Sequence, residues 1–89
     1  IPFFNIQAIA TPGHTEDCVC YYLPDEKFLF SGDTLFQESI GRTDLPGGDM
    51  VTLIRSLKKL VALPEDTQVY PGHGYPTTIG HEKQYNPYI

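Results

Sequence analysis

No apolar run in the 89-residue sequence approaches the ~20 residues needed to cross a bilayer, and the first residues, "IPFFNIQ", lack the basic opening of a secretory signal. Basic residues are also few: six Lys and Arg stand against eleven Asp and Glu, a formal net charge of -5 at pH 7. That balance excludes a general nucleic-acid or anionic-membrane surface and leaves small molecules and proteins as partner classes. No repeat, low-complexity tract or internal linker interrupts the chain, and its length suffices for one domain, residues 1–89, not two. A chain this short buries only roughly 60% of the surface its unfolded form exposes, so its core is small and any shared interface matters. Position 1 is Ile rather than Met and opens directly on strand-like sequence, so processing, cleavage or truncation is expected.

Cysteine is limited to Cys18 and Cys20. Two positions apart in a strand, they point the same way and cannot easily bridge, which favours core or half-exposed thiols over a redox or metal pair. A reducing compartment fits, and the cytoplasm is the expected location.

Hydrophobic residues are 40% of the chain and aromatics 12%, enough for an ordered core. Residues 3–10, "FFNIQAIA", suit a strand leading to a Thr11-Pro12-Gly13 turn. Residues 18–23, "CVCYYL", and 28–30, "FLF", joined by "PDEK", read as neighbouring antiparallel strands. Residues 31–49 show neither regular period and read as a long loop with one short helical turn, a length that marks functional or disordered segments. Asp49 then caps a helix with Leu53, Ile54, Leu57, Leu60 and Val61 on one face, ended by Pro64. Residues 67–70 form a short strand and 77–85 a second helix. This order predicts an α/β (α+β) fold, a mixed or antiparallel sheet with helices on one face.

Three polar side chains stand at the ends of predicted strands, each in a glycine-bearing turn: His14 in "TPGHT", Asp33 in "FLFSGDT" and His73 in "VYPGHG". Each alone reads as an ordinary turn residue. Together they place two imidazoles and a carboxylate, donors suited to zinc, iron or manganese, where a rigid sheet displays its functional groups.

In order and spacing, "TPGHT", "FLFSGDTLF", "GRTDLPGGD" and "VYPGHGYPTTIGHEKQYNPYI" resemble the metallo-β-lactamase superfamily, and within it the glyoxalase II-like branch of hydroxyacylglutathione hydrolases. The resemblance implies that His14 completes one metal site, His73 completes a second, and Asp33 bridges both. It further implies a zinc centre, or one of iron or manganese, whose hydroxide attacks a thioester such as S-lactoylglutathione. Asp33 is then the catalytic carboxylate. The family's H-x-H-x-D-H motif is absent, and His81 has no second histidine at metal spacing. The chain thus resembles the C-terminal half of an αββα sandwich. It is expected to supply half a site, to be inactive alone, and to pair an exposed sheet face with the missing half or with a second copy in a homo-oligomer.

Arg42 and Asp44 are spaced to tie down the long loop, Thr34 to orient Asp33, and Tyr75 to meet substrate or to pack in its turn. Lys83 and Tyr85 read as surface and packing residues. Two alternatives accompany the hydrolase: an iron-dependent persulfide dioxygenase, which shares "TPGHT", "SGD" and "GRTD", and a non-catalytic half-domain that binds a partner.

Overall fold

Burial alternates with a period of two along the central strands of the computed structural model, which describes residues 5–89. On β2 (Val19–Leu23), Cys20 and Tyr22 turn inward while Val19 and Tyr21 are exposed; on β3 (Phe28–Gly32), Leu29 and Ser31 are buried and Phe30 is exposed. β-branched and aromatic side chains suit such a half-covered pleat. With β1 (Gln7–Ala10) these strands form an antiparallel meander in which Ile9 faces Cys20 and Tyr22 faces Leu29. Phe3 and Phe4, included in the first predicted strand, lie outside the described residues.

From β3 the chain crosses through two short strands, β4 (Leu35–Phe36) and β5 (Ser39–Ile40), and a helix, α1 (Met50–Val61). It returns as β6 (Gln68–Pro71), parallel to β3, with Leu29 beside Val69 and Phe30 beside Tyr70. A parallel neighbour demands a long crossover of this kind. β7 (Thr77–Thr78) closes the sheet in the order β1-β2-β3-β6-β7, and α2 (Ile79–Tyr85) follows directly.

α1 forms where its spacing predicts. The Asp49 carboxylate caps it, accepting from the Thr52 backbone N–H at 3.1 Å and from the Thr52 hydroxyl, and this hydrogen bonding lowers the Asp49 pKa. Leu53, Leu57 and Leu60 are buried, and Ile54 packs against the core they share with Cys20, Tyr22, Leu29, Leu35, Val69 and Ile79. Lys58 and Lys59 occupy the last turn, where cations complement the helix C-terminus.

Two expectations are corrected. The 31–49 segment contains no helical turn; its ordered part is the β4–β5 hairpin, closed by Glu38 at φ 56. The second helix starts at Ile79 rather than Thr77. Thr77 and Thr78 pair with Val69 and Gln68 instead, and the Thr78 side chain caps α2 by accepting from the His81 N–H at 3.1 Å.

Candidate functional site

β1, β3 and β6 all run the same way, because β2 is antiparallel to both β1 and β3 while β6 is parallel to β3. Their C-terminal ends therefore share one edge of the sheet, and the turns leaving them carry His14, Asp33 and His73. The three side chains meet in a cavity of about 540 Å³. The β4–β5 hairpin, Gly41 and Arg42 form its wall and Tyr75 stands at the rim, 76% exposed, so it is not a packed turn aromatic.

The His14 turn is fastened to α1. The Gly13 carbonyl accepts from the Asp49 N–H at 2.8 Å, and the Pro12 carbonyl accepts from the Ser56 hydroxyl at 2.6 Å. Gly13 has φ 142, and a Cβ there would overlap the backbone and Cβ of Leu53, so only glycine allows the turn to sit this close to the helix. His14 Nδ1 lies 2.7 Å from the Arg42 carbonyl. A carbonyl only accepts, so Nδ1 holds the proton and, in the neutral ring, Nε2 keeps its lone pair. That Nε2 faces Asp33 Oδ2 at 4.0 Å.

His73 approaches the same carboxylate from the other side, with Nδ1 3.6 Å from Asp33 Oδ1. Its side chain is 76% exposed and rests on the Phe36 ring, 4.5 Å between centroids. Gly41 lets the end of the hairpin pass over Asp33: its N–H donates to the Thr34 carbonyl at 3.1 Å, and a Cβ would collide with the Asp33 carbonyl oxygen. Nothing in the local sequence signals that close approach.

The remaining predicted residues separate clearly. Arg42 and Asp44 bind each other through two bonds of 2.7 and 2.8 Å, and the guanidinium holds the Asp44 pKa down to about 2. Both are exposed and two positions apart, so the pair is a local contact within the loop, of a kind that contributes little to stability. Thr34 does not reach Asp33. Its hydroxyl turns into the core and pairs with Thr11 Oγ1 at 3.1 Å, because the residue is 1% exposed and a buried hydroxyl takes the partner beside it. Cys18 and Cys20 are free thiols, and burial raises the Cys20 pKa. Among the described residues Lys83 makes an exposed ion pair with Glu65, and Tyr85 lies against the His81 ring.

The donor set fits half of a two-metal site. One carboxylate presents a separate oxygen to each of two imidazoles, the arrangement of a bridging ligand. Among the described residues no three His, Cys, Asp or Glu side chains converge on one point as a self-sufficient metal site. The two histidines attend different oxygens instead of sharing one.

Residues 2–73 match the metallo-beta-lactamase superfamily, and the chain belongs to it. It is 46% identical over 87 residues to the hydroxyacylglutathione hydrolase GloC of Haemophilus influenzae, covering 97% of this chain and 41% of that protein. Among solved structures it superposes on the BLEG-1 B3 metallo-beta-lactamase with TM-score 0.95 and 52% identity, covering 99% of this chain and 43% of the other. It superposes on TTHA1623 in a di-iron-bound form with TM-score 0.92 and 48% identity, covering 94% and 42%. The chain thus spans about two-fifths of the length of these proteins and forms a partial metallo-β-lactamase domain.

Proposed function

We propose that this chain supplies one half of a binuclear metal centre in a thioester hydrolase of the hydroxyacylglutathione type. The observation that carries the reading is the placement of His14 Nε2 and His73 Nδ1 against opposite oxygens of Asp33. His14 and Asp33 would hold one metal and His73 and Asp33 the other, with the remaining ligands outside this chain. Metal bound in such a centre lowers the pKa of water to near neutrality and polarises the substrate carbonyl.

The chain's own residues orient the ligands and meet substrate. The Arg42 carbonyl keeps the proton on His14 Nδ1, so Nε2 offers its lone pair toward Asp33. The Phe36 ring limits the rotation of His73. Tyr75, exposed at the rim, is our candidate for contacting substrate, and the Arg42–Asp44 pair is our candidate for steadying the loop that forms the wall. Zinc is our choice of metal, with iron or manganese also matching nitrogen and carboxylate donors.

Elemental analysis of the protein after dialysis against metal-free buffer tests the reading. Metal retained by the chain, alone or joined to a segment supplying further ligands, and lost in His14→Ala, Asp33→Ala and His73→Ala supports it. Retention that ignores all three substitutions refutes it. With the joined protein, free thiol release from S-lactoylglutathione identifies the hydrolase, whereas oxygen uptake with a persulfide assigns the site to the iron-dependent alternative.

A further inference from the structure

Glu82 is an acidic residue on α2 that is 0% exposed. Burying a carboxylate is costly unless its oxygens are satisfied, and here they are. Oε1 accepts from the Glu38 backbone N–H at 2.7 Å and from Asn86 Nδ2 at 2.9 Å, and Oε2 accepts from the Thr77 hydroxyl at 2.6 Å. Asn86, 4% exposed, also donates from Nδ2 to the Ser39 carbonyl at 3.0 Å and accepts from the Tyr88 N–H at 2.9 Å.

The object these two side chains grip is the tip of the β4–β5 hairpin. Two strands of two residues each do not hold a shape by their own pairing. Yet this hairpin touches both histidines of the site. Phe36 on its first strand lies tilted against the His73 ring, and the carbonyl of Arg42, just past its second, accepts a hydrogen bond from His14 Nδ1–H. The base is fixed where Gly41 N–H donates to the Thr34 carbonyl. The tip is fixed by Glu82 and Asn86, with an exposed His81 Nε2 to Glu38 Oε2 contact of 3.2 Å beside them.

The geometry points to Glu82, with Asn86, as the positioning pair of the site: from a helix that contributes no group to the cavity, they set the hairpin that holds His14 and His73 in place. The role rests on the reading of His14, Asp33 and His73 as the functional site, and the test separates the two. Glu82→Leu leaves the Glu38 N–H, the Asn86 amide and the Thr77 hydroxyl without their acceptor, so stability should fall as well, and the effect specific to the clamp is read in the site of protein that still folds.

The experiment compares Glu82→Leu, Glu82→Gln and Asn86→Ala with the wild-type chain. Gln keeps the size and can still accept from Glu38 and Asn86 while donating to the Thr77 hydroxyl; Leu keeps the volume and removes the clamp. Two readouts are taken on protein whose circular dichroism is native: long-range ¹H–¹⁵N spectra of the imidazoles, and affinity for added Zn²⁺ ions. We expect Glu82→Leu to lose the protonated-Nδ1 signature of His14 and the ring-current shift of His73, and any zinc affinity to fall about tenfold, the lower end for residues that orient metal ligands. Glu82→Gln should restore both. Unchanged imidazole spectra in Glu82→Leu overturn the proposal. If Glu82→Leu does not fold, Asn86→Ala decides by the same spectra, altered signals supporting the clamp and unaltered ones overturning it. Altered imidazoles uphold the clamp whether or not the wild-type chain alone binds zinc, because the remaining ligands of the proposed centre lie outside it; the metal assignment fails instead if the chain joined to those ligands retains no metal.

Discussion

Leu29 and Phe30 are neighbours on β3 with opposite surroundings: Leu29 is 0% exposed beneath the helices, and Phe30 is 44% exposed on the far side of the sheet. The contrast extends across the strands. On the covered face Ile9, Cys20, Tyr22, Leu29 and Val69 share one core with α1 and α2. On the open face Val19, Tyr21 and Phe30 face outward, and Tyr70 collects the Phe28 and Phe30 rings at centroid distances of 5.4 and 5.6 Å. One face is finished and the other is a contiguous apolar patch of the kind that marks an interface. The chain spans 41% of the length of a relative such as GloC, which is consistent with its holding one covered face of a layered fold.

Paired substitutions on β3 break the comparison most directly. Leu29→Ala should cost about 2–5 kcal/mol in urea unfolding, as for a core leucine, while Phe30→Ala should cost within about 1 kcal/mol in dilute protein. If Phe30→Ala proves as damaging as Leu29→Ala, and light scattering reports a dimer, a second copy covers the open face.

Asp49→Ala tests the fastening of α1 to the covered face and should lower Tm by a few degrees at neutral pH. The Asp49 pKa is depressed below 3.8 by its bonds to Thr52, so the stability it contributes is present above that value and is lost as pH falls through the folded-state pKa. The wild type and the variant should therefore converge in Tm in strong acid, and a difference that persists there would assign the effect to something other than the charged cap.

The smallest effect sharpens the account of the covered face. Thr67, level with Val69 and 0% exposed, has a hydroxyl with no hydrogen-bond partner among the described residues. Thr67→Val removes a desolvated polar atom at nearly constant shape, so stability should stay level or rise by up to about 1 kcal/mol. A loss of stability would mean that the hydroxyl is bonded in solution.

Where a local pattern dictates structure, the sequence was readable. The 3.6-residue spacing from Leu53 to Leu60 behind Asp49 marked α1, and the aromatic and β-preferring residues of "CVCYYL" marked β2. His14, Asp33 and His73 were legible as strand-end residues because strand ends are set by the turns that follow them. The β4–β5 hairpin was not, since its shape comes from Glu82 and Asn86 more than forty residues away. Thr34 was misread for a related reason: its hydroxyl answers to Thr11 across the core rather than to its neighbour Asp33. Thr77 and Thr78 were absorbed into a helix because their pairing with β6 is invisible along the chain.

The parallel alignment of β3 and β6 also orders events in time. β1, β2 and β3 form a local meander, and antiparallel neighbours of this kind associate within microseconds. β6 must wait until the whole stretch between Gly32 and Gln68 has been drawn back across the sheet, a closure that slows folding. We therefore expect His14 and Asp33 to be brought near each other by the local part of the chain and His73 to arrive with the slow step. The site would then be complete only when β6 docks, so the rate of its appearance after dilution from denaturant should report the crossover itself.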